Sequence, residues 1–207
     1  MFSTENWGSV NDWKDSVFET HAGSVPYEVN GAMIYLEKFA SEWTSISIYE
    51  FYDGFQVTVS DGQVSKKVIV SVKEDENEDG YTENDSDEVL DELMRVVYLM
   101  QNLTEFKFFS RFEIEIENDY FKIPLPSVQN IIIHNVQMMD IDFIGNAKTV
   151  TIKNVYSDKE SCDKLKLIID KVDKVYIDML VNEDDDNITI LEELEELGVT
   201  VIESDGF

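Results

Sequence analysis

Apolar positions change period along this chain, and each change marks an element. Val29, Met33, Leu36, Ala40 and Trp43 step by four, three, four and three, which puts them on one face of a helix over roughly residues 28–43. From Ile46 the step becomes two: Ile46 and Ile48, then Phe55, Val57 and Val59, then Val68, Val70 and Val72, with Asp53-Gly54 and Asp61-Gly62 between the runs. Alternation means one buried and one open strand face. Asp-Gly supplies the positive φ that tight hairpins need, so an antiparallel meander is predicted.

Residues 73–88 break the pattern. They carry nine carboxylates after a single lysine and offer almost nothing to bury, the composition of a solvated, mobile connector. Asp85 or Ser86 would cap the helix that follows, whose apolar face is Val89, Leu93, Val96, Met100 and Leu103. Asp87, Glu88, Asp91 and Glu92 then fall in its first turns, where the helix dipole favours negative charge. Residues 111–117 alternate strictly, predicting a strand with Glu113, Glu115 and Glu117 in one acidic row, about 7 Å apart.

From Val128 the chain repeats itself. Val128, Ile131, Ile133 and Val136 share their spacing with Ala147, Val150, Ile152 and Val155, and with Val172, Val175, Ile177 and Leu180. Leu103, Phe106 and Phe108 form a partial earlier copy, and Val199 and Val201 a partial last one after the helical 191–197 run. Offsets of 25, 19, 25 and 24 residues predict stacked units, each a strand and a return segment.

This half resembles a degenerate leucine-rich-repeat-like solenoid, a family that mostly presents a concave binding surface. The consensus asparagine would fall where Val136, Val155 and Leu180 stand, one position after Asn135 and Asn154. An ordinary parallel α/β sheet would produce much of the same pattern. The expected fold is therefore α+β or α/β: a helix plus β-meander domain over 1–72, an acidic linker over 73–88 and a repeat-like β/α domain with parallel strands over 89–207.

Composition then narrows function. With 44 Asp and Glu against 16 Lys and Arg, the formal net charge is −28, while 43% hydrophobic and 12% aromatic residues provide enough material for a core. Cys162 is the sole cysteine, so an intramolecular disulfide framework and multi-cysteine zinc sites are excluded. The start of the chain lacks a basic region followed by an apolar stretch, and no later apolar run approaches membrane-spanning length. A cytoplasmic protein without a cofactor is expected.

Catalytic templates fail. His21 and His134 are far apart with no nucleophile arrangement around them, and there is no Gly-rich phosphate loop, Gly-x-Ser-x-Gly elbow or His-Glu-x-x-His. Asp75, Asn77 and Asp79 with Gly80 match the opening of a calcium loop, but the twelfth position, where a bidentate Glu belongs, is Ser86. A solvated linker is expected there, and no enzyme activity is expected.

A folded protein displaying ordered carboxylates can fill a groove that Lys and Arg line for nucleic acid. In composition the chain resembles the small phage and plasmid inhibitors of restriction, repair or CRISPR enzymes that mimic DNA. Glu113, Glu115 and Glu117, with Asp87, Glu88, Asp91 and Glu92, are the candidate partner-binding rows, and a basic, nucleic-acid-binding enzyme is the expected partner. An immunity protein neutralising a basic toxin nuclease, or a repeat scaffold binding a peptide or protein, would fit the same sequence.

Since Lys66-Lys67 is the sole basic pair, the protein itself should not bind nucleic acid. Mobility-shift assays with duplex and single-stranded DNA or RNA at low salt should be blank, and a salt-dependent shift would contradict this.

Overall fold

The computed structural model describes residues 17–22, 31–51, 54–72, 74–76, 82–84, 86–110, 121, 123–134, 141–155, 159–179 and 194–201. The chain divides into two compact units, Met1–Leu103 and Thr104–Phe207.

In the first unit β1 (Val17–Ala22) is followed by α1 (Gly31–Lys38), β2 (Ser45–Phe51), β3 (Gly54–Ser60) and β4 (Ser65–Val72). A short pair, β5 (Glu74–Glu76) and β6 (Thr82–Asn84), then leads to α2 (Ser86–Leu99). The meander forms as the alternation predicts: β2 and β3 pair antiparallel with Ile48 opposite Val57, and β3 and β4 with Val57 opposite Val68. Strand order is β1-β4-β3-β2, with β1 added parallel to β4, a pairing the periodicity does not announce.

Asp61 shapes the second hairpin turn. Its Oδ1 accepts hydrogen bonds from the Gln63 and Val64 amides at 2.8 and 2.6 Å, and these hold its carboxyl below the usual range. Gly62 follows at φ +92°, a conformation that an L side chain rarely adopts.

The first helix is shorter than its apolar period suggests. It ends at Lys38, and the chain continues in tighter turns, with the Ala40 amide donating to the Glu37 carbonyl and the Glu42 amide to the Phe39 carbonyl. Such three-residue turns still carry Ala40 and Trp43 into the core, which explains why the spacing reads as one continuous helix. Residues 28–30 of the expected helix lie outside the described residues.

Within 73–88 the expected connector also gives way to structure: β5 and β6 pair antiparallel, with Asp75 opposite Glu83. Backbone hydrogen bonds need no apolar side chains, so composition alone misses such a hairpin. The helix after it buries Val89, Leu93 and Val96 as predicted and packs on α1; it ends at Leu99, and Met100 and Leu103 are buried beyond its end. The strand expected over 111–117 lies outside the described residues.

The second unit contains β7 (Glu105–Phe109), β8 (Asn130–Ile133), a 3-10 turn (Ile141–Ile144), β9 (Thr149–Val155), α3 (Lys159–Ile169), β10 (Lys174–Met179) and β11 (Thr200–Val201). All pairings are parallel and the strands lie in chain order. The repeat is realised residue by residue: Phe106, Ile131, Val150 and Val175 are in register, as are Phe108, Ile133, Ile152, Ile177 and Val201.

The approach to each strand repeats too. The Thr104 carbonyl accepts from the Gln129 and Asn130 amides, the Gln129 carbonyl from Lys148 and Thr149, and the Lys148 carbonyl from Asp173 and Lys174, all at 2.8–3.1 Å. Those acceptors and donors keep the 25-, 19- and 25-residue offsets seen in the sequence. The shorter unit returns through the 3-10 turn, and the longer unit after β9 returns through α3.

Behind the ladder sits an aromatic cluster. Phe106, Phe121 and Phe143 meet edge to face with centroids 5.3–6.1 Å apart, and Phe108 meets Phe121 at 5.0 Å. Gly145 lets the chain turn beside it, at φ +53°, where an added Cβ would stand 3.0 Å from that of Pro124. No helix among the described residues is long and apolar enough to cross a membrane.

Phe143 is completely buried in this cluster, so Phe143→Ala should destabilise the protein by about 3–5 kcal/mol and Phe143→Leu by less, read as shifts in the urea midpoint. Equal midpoints for the alanine variant and the parent would show that the cluster does not support the fold.

Candidate functional site

The candidate groups lie on two surfaces, the acid-rich start of α2 and the open face of the parallel strands. On α2 the buried side chains Val89, Leu90, Leu93, Met94, Val96 and Val97 define the inner face. Asp91 and Glu92 are exposed opposite them, and Asp87 and Glu88 occupy the preceding turn. Glu92 does not stand alone: its Oε1 accepts from Arg95 at 2.6 Å, an exposed pair one turn apart that contributes at most about 1 kcal/mol.

Glu113, Glu115 and Glu117 lie outside the described residues, as do Asn77 and Asp79. Asp75 lies on β5. Among the described residues no group of three or more His, Cys, Asp or Glu is placed to hold a metal ion.

The parallel strands present a different surface. On β7–β10 the core-facing residues are buried, whereas Glu105, Lys107, Asn130, Ile132, Thr149, Thr151, Lys153 and Tyr176 alternate with them at intermediate exposure. In one row Glu105, Asn130, Thr149 and Lys174 are in register, and in the next Lys107, Ile132, Thr151, Tyr176 and Thr200. Glu105 is fixed at both oxygens, accepting from Lys107 Nζ at 2.8 Å and from Asn130 Nδ2 at 2.9 Å. Polar groups held in rows by a ladder are preorganised hydrogen-bonding partners, able to meet a ligand with little loss of rotamer freedom.

His134 directly follows β8, close enough to Lys153 and Asp178 for both to act on its charge. Burial pushes its imidazole below the ordinary 6.5, Lys153 pushes it the same way, and Asp178 opposes them. The sequence gives no sign of this meeting, since 19 and 25 residues separate the three; only the repeat offsets, applied to polar as well as apolar positions, bring them together. Lys107, Asn130, Thr151 and Tyr176 are placed by the same rule. His21 is on β1 in register with Ser71.

A shallow groove lies elsewhere in this unit, lined by Lys166 and Ile169 of α3, by Asp170 just after it, and by Glu196 and Leu197. Leu167 and Leu197 are exposed nearby in the chain. No cluster of nucleophile and base accompanies it among the described residues.

Because the folded imidazole is the weaker base, the unfolded chain takes up its proton first as pH falls. The stability contributed by neutral His134 is therefore present above pH 6.5 and lost as pH drops through the folded value. Titration followed by NMR should place His134 below 6.5, with Lys153→Gln raising it and Asp178→Asn lowering it further. Insensitivity to both substitutions would show that the three groups are not neighbours in solution.

Comparison of the chain with protein-family models, with curated proteins and with solved structures found no match.

Proposed function

We propose that this protein is an acidic, non-catalytic inhibitor that binds the basic groove of a nucleic-acid-binding enzyme and competes there with DNA or RNA. The observation that carries the reading is the net charge of −28 on a chain with a well-packed core, which includes a helix whose first turns hold four carboxylates. Charge of that size exceeds what solubility requires, and self-repulsion costs stability that a bound basic partner would recover. Carboxylates on a helix with one face buried are held at fixed spacing, unlike those of a disordered tail. The residues chosen for contact are Asp87, Glu88, Asp91 and Glu92, together with Glu113, Glu115 and Glu117.

A second reading rests on a separate observation, the rows of polar side chains on the open face of β7–β11. They support a repeat scaffold that binds a peptide or protein segment across its strands, with the acidic surface serving mainly for solubility.

Capture of a partner from bacterial lysate, followed by stopped-flow binding, separates these readings. Steering by charge predicts an association rate that falls steeply with salt, since exposed charges are screened beyond about 8 Å at physiological ionic strength. Replacing Asp87, Glu88, Asp91 and Glu92 by their amides, or Glu113, Glu115 and Glu117 by Gln, should slow association while leaving the fold intact. Mimicry is wrong if the captured partner has no basic nucleic-acid surface, or if neither set of substitutions changes its binding at low or high salt.

A further inference from the structure

The turn between β3 and β4 contains a chemically fragile step. Asp-Gly occurs at 53–54, 61–62, 79–80 and 205–206, and both of its residues are described at 61–62 alone. In such a step the amide nitrogen after Asp can attack the side-chain Cγ, because glycine puts no side chain in its way. The protonated carboxyl sheds its hydroxyl, which leaves as water with the amide proton, and a cyclic succinimide closes. Water then opens the ring. Attack at the former backbone carbonyl leaves isoaspartate, in which the main chain runs through the side-chain carboxyl and gains a methylene. The water lost equals the water gained, and no oxidant or reductant takes part.

Burial does not protect this turn. Gly62 and Gln63 are exposed and Asp61 is half-buried, so water reaches the reacting groups. Bonding does protect it. The Gly62 amide donates to Ser60 Oγ at 3.1 Å, which engages the proton that attack must release. Asp61 Oδ1 accepts from the Gln63 and Val64 amides, and these bonds hold the side chain against the rotation that ring closure requires. The Val64 and Gln63 amides also keep the carboxyl below its ordinary 3.8, and only a protonated carboxyl can lose its oxygen as water. The backbone is closed around the step as well: the Asp61 amide donates to the Val64 carbonyl at 3.2 Å, Ser60 pairs with Ser65, and Val64 is buried. Every one of these restraints belongs to the hairpin and is released when it opens.

We propose that Asp61-Gly62 is a guarded modification site, kept as aspartate by the closed β3–β4 hairpin and converted to isoaspartate when that hairpin opens. Ser60 is a positioning residue there, acting through the Gly62 nitrogen. The added methylene lies between Ser60 and Ser65, in the loop that sets the register of the two strands. Opening thus leaves a covalent record in the turn. The inference is independent of the inhibitor and scaffold readings.

Incubation of the full chain near neutral pH at body temperature tests this, with isoaspartate at position 61 measured by peptide mapping and electron-transfer fragmentation. The folded chain should form it at least tenfold more slowly than a synthetic peptide covering 57–66, and unfolding in urea should bring the chain to the peptide's rate. Ser60→Ala should raise the folded rate at least threefold at an unchanged urea midpoint, and Ser60→Thr should restore the parent rate. Asp61→Asn keeps the acceptor oxygen and replaces the departing water by ammonia. Its deamidation, read as a gain in mass, should also be at least tenfold slower in the folded chain than in the matching peptide, and this comparison decides alone if Ser60→Ala lowers the midpoint. Equal rates in folded chain and peptide overturn the proposal, as does a slow rate that persists in urea. A slow chain that ignores Ser60→Ala at an unchanged midpoint overturns the part assigned to Ser60.

Discussion

An unpaired carboxylate costs several kcal/mol to bury, and 44 of the 207 residues here are acidic. Everything else in the structure has to satisfy that constraint. The chain meets it with period-two strands, in which each apolar residue entering the core alternates with one that does not. Along β2, β3 and β4 the inner positions are Ile46, Ile48, Glu50, Phe55, Val57, Val59, Lys66, Val68 and Val70, all buried, and all but Glu50 and Lys66 are apolar. Glu50 and Asp178 are the buried acids among the described residues. Register is thereby strongly specified, because a slip by one residue would exchange the two faces of a strand.

In the second unit the same economy acts between strands. Each of three carbonyls, on Thr104, Gln129 and Lys148, serves two amides of the following repeat, so successive strands begin at a common level. Edge-to-face packing of Phe106, Phe121 and Phe143 fills the space behind the first of them. Ion pairs contribute little by comparison: those of Arg95 with Glu92 and of Lys171 with Asp142 are solvent-exposed, where such pairs are worth about 0–1 kcal/mol. The fold is held by apolar burial and backbone pairing and owes little to its surface charge.

How much of this the sequence reveals depends on whether a residue's role is set by its neighbours in the chain or by distant strands. Hairpins around Asp61-Gly62 are local, and so is the amphipathic period of α2; both can be read directly. The repeat offsets foretell the parallel ladder because identical burial recurs at Phe106, Ile131, Val150 and Val175. By contrast, β1 pairing with β4 and the meeting of His134, Lys153 and Asp178 depend on strands far apart in sequence. The acidic hairpin of β5 and β6 is hidden for another reason: its strands are held by backbone groups, which every sequence possesses. Of the seven acids read as a contact surface, the α2 four fall on one helix, and Glu113, Glu115 and Glu117 lie outside the described residues.

The unequal repeat lengths carry an evolutionary consequence. Six residues separate a unit of 19 from one of 25, yet Ile131, Val150 and Val175 remain in register. The difference is absorbed entirely by the return path, through a 3-10 turn in one case and an eleven-residue helix in the other. Insertions and deletions on the return side are thus uncoupled from the spacing of residues across the strands. The return side of the sheet can therefore change in length while the grid of side chains across the strands keeps its spacing.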